Sequence, residues 1–293
     1  TSYPGGAGNA GNGTTGSFGR DLARRPSYLS WYGPAGYLAI ESRTFLQDGR
    51  VLQDAGESYA YDAAGRLTQA KLLTLSESDP ARTIDYGYAS SGGCASAPSA
   101  GKNTNRTSLS HNGAVAATYC YDLADRLVST SDPAFTAIAY DSHGNTTTLG
   151  AQSLGYDGDD RHVKTTVGGE TVRYTRDATD RIVARSVTTS AGTSTTRYGF
   201  AGAGDSSSFT QRSDGSIIER TISLLGGVMV TKRASGDVWS YPNLHGDVVA
   251  TTDANGVLVG SFAYDPFGVP RATGTPDNSA SDYDYGWLGQ HQR

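Results

Sequence analysis

The sequence has little sulfur, little lysine and no long apolar run. Among its 293 residues are two cysteines, one methionine and four lysines, the last against 20 arginines. No stretch approaches the ~18 apolar residues of a membrane-crossing helix, so no membrane span is expected. The formal net charge of −5 lacks the basic footprint that a phosphate backbone requires, which argues against nucleic acid as a general partner. Helix-period apolar stripes are missing. Gly-x-Ser-x-Gly, His-Glu-x-x-His and phosphate-loop motifs are absent, and no catalytic, cofactor or metal set is expected. The string Gly6-Ala7-Gly8-Asn9-Ala10-Gly11 matches a dinucleotide fingerprint literally, but no strand signal precedes it and no helix signal follows. The chain begins at Thr1 without a signal peptide, as a mature product or a fragment would.

What is present is glycine, tyrosine and a repeated phrase. Glycine supplies 38 residues, about 13% against a usual ~7%, and 18 tyrosines exceed 7 phenylalanines. Many tight turns and half-exposed strands need that composition, because tyrosine keeps a polar tip in water. The phrase reads Tyr61-Asp62-Ala63-Ala64-Gly65-Arg66-Leu67 in its cleanest copy. It returns as Tyr121-Asp122 with Arg126-Leu127, Tyr140-Asp141 with Gly144-Asn145, Tyr156-Asp157 with Arg161, and Arg176-Asp177 with Arg181-Ile182. Tyr264-Asp265-Pro266-Phe267-Gly268 is a late variant. Tyr121, Tyr140, Tyr156 and the Arg176 position lie about 16–20 residues apart, which suits one β-hairpin per repeat.

Each residue type has a turn role. An aspartate opening a tight turn accepts backbone N–H bonds, and glycine three residues later takes the left-handed conformation that returns the chain. Asp125, Asp160, Asp180 and Asn145 are the next-best residues near such a turn. The tyrosine ends one strand, the Arg-Leu or Arg-Ile pair starts the next, and a guanidinium can stack on a ring and pair with a carboxylate. Asp157, Asp159 and Asp160 lack the length and terminal glutamate of a calcium loop. His143 and His245, each before a glycine, read as turn residues.

These phrases resemble the Tyr-Asp repeats of the Rhs family, which includes bacterial polymorphic toxins, C subunits of insecticidal toxin complexes and the teneurins. Residues 241–268, YPNLHGDVVATTDANGVLVGSFAYDPFG, are similar to the family's core-associated segment, and residues 285–293, YGWLGQHQR, to its actinobacterial form. The resemblance covers roughly residues 40–293 and implies a β-sheet that spirals into a hollow shell, which in several members encloses a C-terminal toxic payload. Family shells are much longer than this chain, so it looks like an end segment, an open half-turn or a small scroll. The family's terminal self-cleavage motif would lie beyond Arg293.

The expected organisation is all-β: repeated hairpins in a curled antiparallel sheet. Residues 1–17 read as a Gly-rich linker or extended segment, 18–240 as the repeat region and 241–293 as the core-associated segment. Arg20, Arg24, Arg25, Tyr28, Trp31, Tyr32 and Tyr37 read as the edge of a β-structure. Residues 76–107 read as an irregular excursion and 269–282 as a polar loop. Cys94 and Cys120 are expected to bridge, closing a loop of about 26 residues worth roughly 3–4 kcal/mol. The leading functional expectation is a non-enzymatic segment of a secreted or surface shell whose partner is a protein, a further shell chain or an encapsulated cargo. The alternatives are an adhesion module presenting exposed tyrosines, Trp31, Trp239, Trp287 and open sheet edges to glycan or protein, and a glycosidase or toxin enzyme with convergent carboxylates or a base and nucleophile in one pocket.

Overall fold

A computed structural model of the chain describes residues 1–6, 10–89, 100–271, 286 and 288. Among the described residues there are strands and short 3-10 turns but no α-helix. The all-β expectation holds, and its cause is local: runs rich in tyrosine, threonine and valine are cut every few residues by glycine and aspartate turns.

Strand order is sequence order throughout. The first sheet runs β1 (Ser2–Tyr3), β2 (Thr14–Arg20), β3 (Pro26–Gly33), β4 (Gly36–Phe45), β5 (Val51–Asp54), β6 (Glu57–Tyr61), β7 (Leu67–Leu72), β8 (Arg82–Gly87), β9 (Ser108–His111), β10 (Ala114–Tyr121) and β11 (Leu127–Thr130). The second begins with β12 (Ile138–Tyr140), β13 (Thr146–Leu149), β14 (Gln152–Tyr156), β15 (His162–Val167), β16 (Glu170–Arg176), β17 (Ile182–Thr189) and β18 (Gly192–Gly199). It continues through β19 (Phe209–Arg212), β20 (Ile217–Ser223), β21 (Met229–Arg233), β22 (Gly236–Pro242), β23 (Val248–Thr252) and β24 (Leu258–Ser261). Both are open antiparallel meanders, and neither closes into a barrel.

The chain divides into two compact units. One comprises Thr1–Ser58, Leu73–Pro80 and Arg197–Arg293; the other comprises Tyr59–Leu72 and Ala81–Thr196. The first unit holds a dry aromatic core of Tyr3, Leu29, Trp31, Leu38, Val228, Val230, Trp239, Tyr241 and Ala250. Trp31 is wholly buried, donates from Nε1 to the Pro242 carbonyl at 2.8 Å, and lies opposite Gly16 in the β2–β3 register. A Cβ on Gly16 would sit 2.2 Å from the indole, so glycine is what lets the ring lie flat across that strand.

Of the two readings for residues 1–17, the described residues fit an extended segment and not a linker. Ser2–Tyr3 and Thr14–Arg20 are paired strands, and Tyr3, Asn12 and Thr14 are buried. Asn12 donates to the Tyr241 hydroxyl at 2.7 Å and to the Thr252 hydroxyl at 3.0 Å, while Thr14 bonds both Asn12 and Tyr241. The Gly/Asn-rich composition suggested a solvated segment, but a buried asparagine bonded to Thr14, Tyr241 and Thr252 ties it to β22 and β23. Within the basic-aromatic stretch 18–40, β3 is not a sheet edge, since it pairs with β2 on one side and β4 on the other. Within 76–107, β8 pairs with β7 and β9, so the irregular stretch is shorter than expected. The expected boundary at residue 240 falls inside β22. Cys94 lies outside the described residues, and so does its pairing with Cys120, which sits on β10 opposite Ser129.

The second unit has a small core of Ala70, Leu72, Ile84 and Tyr86. Beyond it the burial stops. No residue from 120 to 197 is buried, although the stretch is almost entirely strand and turn. Apolar burial, which drives the folding of most domains, is thin there, so order must come largely from the ladders and the turns.

A candidate assembly site built from turn ladders

The Tyr-Asp phrases all fold into one turn. The aspartate N–H donates to the carbonyl four residues on, and the N–H three residues on returns to the aspartate carbonyl. At Asp122 these bonds are 2.9 Å to Arg126 and 3.1 Å from Asp125; at Asp157 they are 3.0 Å to Arg161 and 3.2 Å from Asp160. Asp62, Asp141, Asp177 and Asp265 repeat the pattern with Arg66, Asn145, Arg181 and Val269. This is a three-residue hairpin loop closed by a bulge, which demands a left-handed residue at the fourth place. Gly65, Gly144 and Gly268 fill it, and so do Asp125, Asp160 and Asp180 at φ of 60° to 69°. The strand register slips by one residue at Tyr121, Tyr140, Tyr156 and Arg176, as the bulge requires.

The aspartate carboxylate completes each turn. One oxygen of Asp62 accepts the N–H groups of Ala64 and Arg66, both at 3.0 Å, and the other takes Nε of Arg66 at 2.7 Å. Asp122 with Arg126, Asp157 with Arg161 and Asp177 with Arg181 copy this with Nε contacts of 2.7–2.8 Å. Asn145 does not take the left-handed place, which belongs to Gly144; it stands where arginine does, its amide 3.0 Å from Asp141.

The same residues connect one turn to the next. Tyr140 donates its hydroxyl to the Leu127 carbonyl at 2.8 Å, and Tyr156 donates to Thr146 at 2.9 Å. In each case the acceptor is the first strand residue after the preceding turn. Arg176, standing where the next tyrosine would be, donates Nε and Nη2 to His162 at 3.3 and 3.2 Å, at the corresponding place. Degeneracy in the phrase has thus kept the bond while changing the donor. Tyr121 donates to Arg106 at 2.8 Å. A second line joins the left-handed aspartates to the previous turn. Asp125 accepts from Asn105 at 2.7 Å, Asp160 from Asn145 at 2.8 Å, and Asp180 faces Arg161 at 3.9 Å. The guanidinium of Arg126 lies over the next ring, Tyr140, with 5.1 Å to its centroid, so cation–π contact links neighbouring turns. This line crosses the break between β11 and β12, where the backbone ladder stops.

Electrostatics follow from this geometry. Asp62, Asp122 and Asp157 are held below the ordinary carboxylate value, first by the N–H of the paired arginine and then by its guanidinium or, at Asp157, by the Asp159 N–H ahead of the guanidinium, against a desolvation penalty. Asp177 is also depressed, with the Thr179 hydroxyl as the largest cause. A depressed pKa gives stability that is complete above the unfolded value near ~4 and is lost as pH falls through the folded values. Denaturation midpoints should therefore drop steeply as pH falls below about 4. A midpoint unchanged at pH 2.5 would contradict the carboxylate turns.

Gly144 and Gly158 offer a second check. Gly144 has φ of +93°, whereas Gly158, in the next turn, has no positive φ and open space around its missing Cβ. Gly144→Ala should cost about 1–2 kcal/mol from left-handed strain alone, while Gly158→Ala should be neutral or slightly stabilising. Equal midpoints in urea would refute the turn assignment.

One turn escaped the sequence reading. Asp21 donates to the Arg25 carbonyl, Arg24 takes the left-handed place at φ 64°, and Nε of Arg25 meets Asp21 at 2.6 Å. The signal was there: aspartate and arginine four residues apart, as in 62/66, 122/126, 157/161 and 177/181. With Arg20 in the tyrosine position, the stretch read as the edge of a β-structure instead. His143 sits in its turn as expected, with its ring 2.8 Å from Asp160, whose carboxylate raises the imidazole pKa. Trp31 and Trp239 are core residues and cannot present an exposed aromatic surface; Trp287 lies outside the described residues. Among the described residues no group of three or more histidine, cysteine or acidic side chains is arranged to hold a metal. No helix among them is long and apolar enough to cross a membrane.

No protein-family model matches the chain, and neither does any curated protein. Solved structures do. The chain aligns over 96% of its length with the crystal structures of TcdB2-TccC3-Cdc42, at 16% identity and a TM-score of 0.70, and of TcdB2-TccC3, at 16% and 0.68. A third, TcdB2-TccC3-TEV, gives 14% and 0.64. It spans 16% of each of those chains. At such identities the likeness is one of fold: an all-β architecture shared with part of a much larger toxin-complex polypeptide.

Proposed function

We propose that this chain is a non-enzymatic wall segment of an extracellular Rhs-type β-shell that encloses a polypeptide, a toxin or other cargo. The observation that carries the reading is the run from 120 to 197, strand after strand with no buried residue, held by linked turns. A compact globule has no use for that many half-exposed strands, whereas a wall needs area more than thickness. Turn-to-turn bonds let such a sheet extend one hairpin at a time, as in repeat folds whose units contact only their neighbours. The fold likeness to TcdB2-TccC3 supports the same reading, as do the Tyr-Asp phrases themselves.

Adhesion to glycan through tryptophan loses its basis, because Trp31 and Trp239 lie in the core. The partner is a protein, either enclosed cargo or the continuing shell. Protease protection tests this on the native polypeptide that contains the chain. At neutral pH an enclosed segment should survive a protease that cuts it readily once the shell has been opened by acid. A segment cut at the same rate before and after opening would show that nothing is enclosed.

A further inference from the structure

Glu41 is an acidic side chain buried in β4 of the first unit, with 7% of its surface exposed, and the turn ladder does not use it. Its Oε2 accepts the Leu244 N–H at 2.6 Å, which fastens the Asn243–Asp247 turn to β4. Beside it lies Asp54 of β5, and one guanidinium serves both. Arg43 places Nε 2.8 Å from Asp54 Oδ2 and Nη2 2.6 Å from Glu41 Oε1, the latter out of hydrogen-bond alignment. Two buried oxygens are left without a hydrogen-bond donor among the described residues, Glu41 Oε1 and Asp54 Oδ1. Two carboxylates against one cation leave an uncompensated negative charge in a dry site. A single proton on Glu41, hydrogen-bonded to Asp54, restores neutrality.

We propose that Glu41 and Asp54 share one proton and form a latch that holds the Asn243–Asp247 turn on β4 and loosens when the proton leaves. Burial pushes the Glu41 carboxyl up to about 7, with Asp54 the next cause and Arg43 opposing. The charged groups facing the pair are few. β3 presents Leu29 opposite Glu41, and β23 carries no titratable residue. The turn adds His245 and Asp247, which pair with each other at 3.0 Å. The sign is opposite to that of the ladder aspartates. A carboxyl raised in the folded state contributes stability that is complete below its unfolded value, near ~4.5, and is lost as pH rises through about 7. The latch is therefore closed in mild acid and weakened above neutrality.

The test is the pH dependence of unfolding between 5 and 8.5, for the full chain and for Glu41→Gln. His143, also raised, titrates in the same direction, so the readout is the difference between the two proteins. Wild type should lose more stability than E41Q across this range, by at least a tenfold change in the unfolding equilibrium constant, and Asp54→Asn should behave like E41Q. Should either variant fail to fold, amide exchange at Leu244 in the wild-type chain gives the answer. After correction for intrinsic base catalysis, its protection should fall at least tenfold more from pH 6 to 8.5 than that of Val230 in the core. Parallel slopes for wild type and variant, or unchanged relative protection at Leu244, would overturn the latch.

Discussion

Replacing Arg271 with alanine should destabilise the protein by about 3–5 kcal/mol, the usual cost of leaving buried charges uncompensated. Its side chain is 1% exposed, with Nε 2.7 Å from Asp79 Oδ2, Nη1 2.6 Å from Glu57 and Nη2 2.5 Å from the Leu73 carbonyl. Asp79 is itself 3% exposed, so removing the guanidinium strands a carboxylate where water does not reach. Lysine should rescue only part of the loss, since one ammonium cannot reach three acceptors arranged around a planar fork. Urea unfolding would measure both variants; a loss below ~1 kcal/mol for R271A, typical of an exposed pair, would show that this cluster is solvated.

Trp31→Ala should cost a similar amount, about 3–5 kcal/mol for emptying a large core site. The indole is fully buried, edges Phe18 at 5.4 Å, tilts against Tyr241 at 5.3 Å and bonds the Pro242 carbonyl. Trp31→Phe retains most of the volume and loses that bond, so it should cost less than alanine. The exposed Tyr37→Ala should change the midpoint little. If all three were equally mild, Trp31 would be a surface aromatic, and a ligand-binding role for it would return.

These two residues also mark where the sequence stops being legible. The repeat turns could be read directly, because aspartate, glycine and arginine sit within five residues of one another and the turn is closed by their own backbone. Even the disguised copy at Asp21 and Arg25 keeps that spacing. Arg271 meets partners 192 and 214 residues away, and no local pattern announces them. It stood in a stretch that read as polar loop. Asn12 likewise read as linker because its partners, Tyr241 and Thr252, are 229 and 240 residues distant. Glu41 looked like one more polar residue of an alternating strand, and only the return of the chain at Leu244 buries it. Local chemistry set the hairpins; what closes the first unit, an aromatic core together with polar clusters, is non-local, so no local pattern revealed it.

Cooperativity within the second unit follows from the ladder. From Asp122 to Asp177 each turn is bonded to its neighbour through a tyrosine hydroxyl, or through Arg176 in its place, so loss of one turn exposes the next. In the first unit, a dry aromatic core and two buried ion clusters do the corresponding work.

Electron cryomicroscopy of the native polypeptide containing this chain tests the central claim most directly. The account predicts a hollow particle whose wall is one sheet thick where residues 120–197 lie, with the Tyr-Asp turns stacked in a continuous row and polypeptide density inside. A solid particle in which both faces of those strands are covered by other protein layers would contradict it.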